Sequence, residues 1–288
     1  MSTADRHPFA PMSDRERASF PAHYMTWLRE RDGSPCLETR TLSKRESLSL
    51  GAPNSAVQRH GRAVIDPEVF SRNLARCEPE PGLDRATIWA LAVAKGNRAE
   101  RFGVEHKLAV RGFEPGGADD ILTYIELQEV YHTRLLLQVL ALVGLSCEVG
   151  APVGAVTRAG IRLFARLPRT WLDVLALSFE VVGITAFSAL RDEARELFAD
   201  HPAMGRIDAL FAQLLVDEVG HVHFLRSRLG DARLALSKAL LPFAKTALFD
   251  DNHEIRLLLE RRGAMASVGR SDVDSVVEGD PERLPAVA

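Results

Sequence analysis

Between Asp84 and Gly230, apolar residues return every three to four positions over stretches long enough for whole helices. The first stretch predicts a helix from Asp84 to Arg111, stopped at Gly112. After the turn-rich segment GFEPGG, a second helix runs from near Asp119 to near Gly144. A third spans Arg169 to Phe198, and a fourth Ala203 to Leu229, ended by Gly230. No stretch alternates with the period of a strand and no repeat is seen, so the expected class is all-α. A helix of about 25 residues is ~38 Å long, which suits a tall four-helix bundle. The short loop between helices 1 and 2 makes them antiparallel. The longer link from Glu148 to Pro168, partly helical around Gly154 to Arg166, has the length to cross the bundle and leave helices 2 and 3 parallel.

The flanks read differently. Residues 1–83 form an N-terminal extension rich in Pro, Ser and Arg, partly irregular, with one helix from Ser13 to Arg31 capped by Ser13. The breaker cluster CEPEPGL, Cys77 to Leu83, sets the boundary of a bundle domain at 84–230. Residues 231–288 hold two further helices, Arg233 to Leu248 and His253 to Arg262, and then a polar, mobile tail from Gly263.

Composition narrows the partners. A formal charge of −3 over 288 residues gives no general attraction for nucleic acid or an anionic membrane. Cys36, Cys77 and Cys147 are odd in number and form no CxxC pair, so a reducing, cytoplasmic setting is expected. Residues 1–20 are dotted with charges and lack the apolar core of a signal peptide. The apolar run Leu135 to Cys147, interrupted by Gln138, is too short to span a bilayer and reads as part of a buried helix.

The candidate chemistry lies on the helices. Glu129-Val-Tyr-His132 and Glu218-Val-Gly-His221 are both Glu-x-x-His, a spacing that puts the two side chains on one helix face. With nine His and 21 Glu in the chain, chance alone gives about 0.7 such pairs, so context must carry the argument. Each pair lies mid-helix and continues an apolar stripe: Leu122, Ile125, Leu136 and Leu140 for the first, Leu214 and Leu225 for the second. Glu180 is the sole charged residue from Val174 to Leu190. A carboxylate in such surroundings must be protonated or bound to something positive. Helix 1 offers Glu100 or Glu105. Glu100 shares a mostly apolar face with Trp89, Val93 and Val104, whereas the face through Glu105 carries Arg98 and Arg101; Glu100 is favoured. Antiparallel packing also brings Glu100 level with Glu129.

One Glu, then Glu-x-x-His, then Glu, then Asp-Glu-x-x-His resembles the di-iron carboxylate proteins of the ferritin-like superfamily, over about residues 86–228. That group includes the small subunit of class I ribonucleotide reductase, multicomponent monooxygenases, acyl-carrier desaturases, aldehyde-deformylating oxygenases and arylamine N-oxygenases. The resemblance implies a ferritin-like four-helix bundle with a long crossover between helices 2 and 3, plus flanking helices. It implies two iron ions, with manganese as the alternative metal, held by Glu100, Glu129, His132, Glu180, Glu218 and His221. Asp217 stands where an Asp of that family orients a metal-bound His, here His132 or His221. Gln128 takes the equivalent place on helix 2, so the other His is held differently. Glu126 fits a supporting or surface role better than that of a ligand. Leu136 replaces the radical Tyr of the reductase, and Ile184 a Thr usual in multicomponent monooxygenases; the first argues against a reductase subunit.

The expected function is a non-haem di-iron oxygenase or oxidase. It would use O2 as co-substrate to oxidise a small organic molecule by hydroxylation, N-oxygenation or desaturation, in an apolar pocket beside Phe179, Gly183, Ile184 and Phe187. A reductase or ferredoxin would supply electrons, and a homodimer is compatible. The alternatives are a ferroxidase or iron-storage protein and a metal-free helical scaffold.

Overall fold

A computed structural model describes residues 7–32, 65–111, 121–147, 166–269 and 272–277, without the side chains of 29, 32, 99, 101–111, 123, 126, 127 and 130. The described residues form eight α-helices and no strand: α1 Asp14–Asp32, α2 Pro67–Leu74, α3 Arg85–Arg111, α4 Ile121–Leu142, α5 Arg169–Leu197, α6 Met204–Arg228, α7 Asp231–Asp251 and α8 His253–Arg261. Two 3₁₀ turns follow, Ala264–Ala266 and Val273–Val277.

Local chemistry sets the helix ends. At α1 a capping box forms: the Glu16 N–H donates to Ser13 Oγ at 3.2 Å, and the Ser13 N–H to the Glu16 carboxylate at 2.7 Å. Asp84 caps α3 by accepting the Thr87 N–H at 2.8 Å. α4 ends where Gly144 turns left-handed, φ 85°, and the Leu145 N–H returns to the Leu140 carbonyl.

Helices α3, α4, α6 and α5 pack in a closed ring, each against two of the others. Cross-helix bonds fix the directions. Asn97 bonds the Thr133 carbonyl while Glu100 meets Glu129, so α3 and α4 run oppositely. Trp89 bonds the Leu190 carbonyl while Arg85 meets Glu193, which sets α3 against α5. Arg191–Asp208 and Arg228–Asp173 do the same for α5 and α6, and Gln128–His221 with His132–Asp217 for α4 and α6. Around this ring, α1 packs on α6, α2 and α8 on α3, and α7 on α5.

α5 is long and apolar enough, by length and composition, to cross a membrane; here Val181, Val182, Phe187 and Leu190 are buried against neighbouring helices. α6 departs from the usual one-sided helix: every residue from Gln213 to Val222 is buried.

Two expectations about the flanks need correcting. The N-terminal extension holds a second helix, α2, begun by Pro67 and capped by Asp66, whose side chain accepts the Glu68 and Val69 N–H groups. It is too short to show a full apolar period, which hid it from the sequence pattern. The tail from Gly263 was expected to be mobile, yet its turns dock: Val268, Val273 and Val277 are buried, and Asp274 pairs with His223 at 2.7 Å. The segment 148–165 with its expected partial helix, the loop 112–117, Cys36 and the chain beyond 277 lie outside the described residues.

Candidate metal centre

The four ring helices each bring carboxylate or imidazole groups to one level. α4 supplies Glu129 and His132, α6 Glu218 and His221, α3 Glu100, and α5 Glu180. Ligand atoms of Glu100, Glu129, His132 and Glu218 lie within 4.8 Å of one another, and so do those of Glu129, Glu180, Glu218 and His221. The two groups share Glu129 and Glu218. All six residues expected to bind metal therefore converge on one place. Glu129, His132, Glu218 and His221 are buried; Glu100 and Glu180 keep partial access.

The imidazoles show what the cluster fits. His132 Nδ1 lies 3.0 Å from Glu218, and His221 Nδ1 3.2 Å from Glu129. Neither nitrogen makes a hydrogen bond of acceptable angle, though both are buried. Buried ring nitrogens set against carboxylates without a well-angled hydrogen bond are groups that a cation could satisfy. Their other nitrogens are held. His132 Nε2 lies 3.3 Å from Asp217 Oδ2, and His221 Nε2 3.0 Å from Gln128 Oε1. The Gln128 amide is itself oriented, since its NH2 must face the acceptor-only Asp217, to which it donates at 2.9 Å. Both imidazoles thus carry their outer proton on Nε2 and present Nδ1 to the cluster.

The carboxylates divide by environment. Burial first, then the neighbouring Glu129 and Glu218, push Glu100 well above the usual carboxylate range. Burial and Glu218 do the same to Glu180. Burial also works against Glu129 and Glu218, but contacts with the two histidines bring Glu129 well below that range. For Glu218 a hydrogen bond from Glu180, with the histidines, brings it down to about 2. Conversely, burial opposes charge on His221, but Glu129 and Glu218 carry it up to about 9, and His132 is likewise raised with Asp217 as its first support. Four carboxylates and two imidazoles this close cannot all ionise without added positive charge. Protons supply it in the metal-free protein, and a bound metal cation could take their place.

Other polar and aromatic residues near the two motifs, and the positions compared with the family, fall elsewhere. His223 pairs with Asp274, away from the cluster. Tyr124, Tyr131, Leu136 and Ile184 are buried core side chains. The side chains of Glu105 and Glu126 lie outside the described residues. No cavity beside Glu180 is found among the described residues, although a Cβ added at Gly183 would meet only Phe187, at 4.0 Å. A cavity of about 220 Å³ touches Ile184 but extends along α5 toward Arg262 and Asp272, and none of the six residues lines it.

Sequence reasoning missed two contacts to Asp217. Gln213, one turn earlier on α6, donates to it at 3.4 Å. Arg31, at the end of α1, ion-pairs with it at 2.7 Å. Gln213 was readable from helical spacing; Arg31 comes from a distant helix with no local signature. Comparison with protein-family models, curated proteins and solved structures finds no match.

Proposed function

We propose that the chain is a di-iron oxygenase or oxidase built on a ferritin-like four-helix bundle, acting on a small organic substrate with O2 as co-substrate. The observation that carries this reading is the pair of ligand groups sharing Glu129 and Glu218. The helix directions support the bundle: α4 and α5 both run against α3 and α6, so they run parallel to each other, as a long crossover between them requires.

In this reading Glu129 and Glu218, common to both ligand groups, would help to hold both ions, with Glu100 and His132 joining them in one group and Glu180 and His221 in the other. Oxygen-rich donors with two imidazoles suit iron, and manganese next. Iron held there would supply the redox chemistry toward O2, with a reductase or ferredoxin as the external source of electrons. The protein's own residues shape where this happens. Asp217 and Gln128 hold the imidazole planes, and the apolar core excludes bulk water.

Iron-supplied protein should hold about two ions per chain, by elemental analysis, and the paired change Glu129→Ala and Glu218→Ala should abolish binding. Diferrous protein mixed with O2 and a panel of amines, alkanes and aromatics should yield an oxidised product by mass spectrometry. A cage on size exclusion that mineralises iron, with no organic product, would instead identify a ferroxidase.

A further inference from the structure

We propose that Arg31 is a positioning residue for the metal centre. Acting through Asp217, it supplies the buried counter-charge that holds the carboxylate against His132 and keeps the loaded centre electrically neutral. The inference rests on the metal reading above.

The contact is built, not incidental. The Arg31 side chain is 5% exposed and Asp217 is fully buried, with 2.7 Å between Nη2 and Oδ1. The guanidinium carbon lies 4.4 Å from the centre of the Trp27 ring, a cation–π contact that helps to hold it. α1 is in turn seated on α6 by shape. Gly220 has no room for a Cβ, because the Tyr24 ring occupies that space. The gap at Gly220 is thus filled from the helix that delivers Arg31, two residues from Glu218.

The charges then balance. Four glutamates offset two divalent ions, and both imidazoles are neutral when they ligate. Asp217 remains as a fifth buried carboxylate. Its partners Gln128, Gln213 and His132 are neutral donors. Among the described residues, Arg31 is the cation placed against it. A buried charge left without a counter-charge is strongly unfavourable, and here it would sit one imidazole away from a metal. An extra negative charge at that point favours the trivalent over the divalent state, and an extra positive charge the reverse.

This gives a sign pattern that a purely structural clamp would not produce. Arg31→Met should lower the reduction potential of the iron-loaded centre. Asp217→Asn should raise it. The double variant, with both charges gone, should return toward wild type, and Arg31→Lys should lie nearer wild type than Arg31→Met. The experiment is an anaerobic redox titration of the full-length, iron-loaded chain, followed by absorbance and electron paramagnetic resonance. If Arg31→Met does not fold or load, the double variant must still titrate below Asp217→Asn. An Arg31→Met potential equal to wild type, or a double variant not below Asp217→Asn, overturns the role of Arg31 while leaving the metal site standing. A wild-type chain that takes up no iron overturns the metal reading, and this inference with it.

Discussion

Gln128 and Asp217 meet across α4 and α6 at 2.9 Å, and each holds the histidine of the other's helix. Asp217 on α6 reaches His132 on α4, and Gln128 on α4 reaches His221 on α6. Each stands immediately before a shared glutamate, so one arrangement occurs twice with a carboxylate in one copy and an amide in the other.

Asp217→Asn keeps the size of the side chain but weakens its grip on His132. Loss of such a partner typically costs about 10–100-fold in metal affinity or activity. Iron retention against a chelator should fall by that order, with helicity by circular dichroism unchanged. Equal retention in both proteins would reduce Asp217 to a core acid.

Gln128→Leu removes both halves of the bridge: the acceptor for His221 and the donor to Asp217. Its effect on iron retention should be at least that of Asp217→Asn, about 10-fold or more. The Asp217→Asn/Gln128→Leu pair should be non-additive, because the two side chains share one bond. Additive losses in a chelator competition would show that the two histidines are held independently.

Glu180→Ala should abolish metal-dependent activity without lowering the melting temperature of the metal-free protein. In that state Glu180 is a desolvated acid beside Glu218, Glu129 and Glu100; the cost of burying it offsets the hydrogen bond it gives Glu218, so its removal should be close to neutral. A clear drop in the metal-free melt would make Glu180 a structural residue.

Metal loading should release protons and flatten the pH dependence of stability. Unfolded, His221 titrates at 6.5; folded and metal-free, burial opposes its charge but Glu129 and Glu218 raise it to about 9. Its contribution is therefore fully present below pH 6.5 and is lost as pH rises through about 9. Glu100 and Glu180, also raised, act in the same sense from 4.5 upward. The metal-free melting temperature should thus fall between neutral pH and pH 9. The loaded protein, with cations in place of these protons, should not follow. Calorimetry in buffers of different ionisation enthalpy should count up to about four protons released per pair of ions. Binding without proton release would rule out this ligand set.

Gly220→Ala should destabilise, against the usual gain of about 1 kcal/mol for this change within a helix. The new Cβ collides with the Tyr24 ring, and overpacking of this kind typically costs about 1–3 kcal/mol. Thermal melts should show a drop, relieved when Tyr24→Ala is combined with it. A stabilised Gly220→Ala would mean that α1 does not sit where the structure places it.

The helices that carry the cluster were legible because each is long, rich in apolar residues at helical spacing, and interrupted by its chemical residues. Glu180 betrayed itself by isolation, and Glu100 by the company it keeps on its face. What escaped depends on distance along the chain or on brevity. Arg31 is an ordinary arginine until α1 folds across α6, and nothing within ten residues of it announces a buried partner. α2 lacks the length for periodicity. The docking of the tail is not visible in its sequence, because three valines among polar residues matter only against α6 and neighbouring helices. Gln128 was noticed as a departure from Asp, but its turn toward His221 needed the two helices side by side.

Burial of α6 on every side has a consequence for how the molecule opens. Arg226 donates to the Ala10 carbonyl near one end of the chain, and His223 meets Asp274 near the other. Both flanks therefore close over the same helix. Backbone amides of α6 between Gln213 and Val222 have no route to solvent short of undocking those flanks or parting the ring. They should be the slowest in the molecule to exchange for deuterium, opening only in the most global unfolding events, while α2 and the exposed face of α7 exchange first. The helix that holds Asp217, Glu218 and His221 is thereby the last part of the protein to breathe.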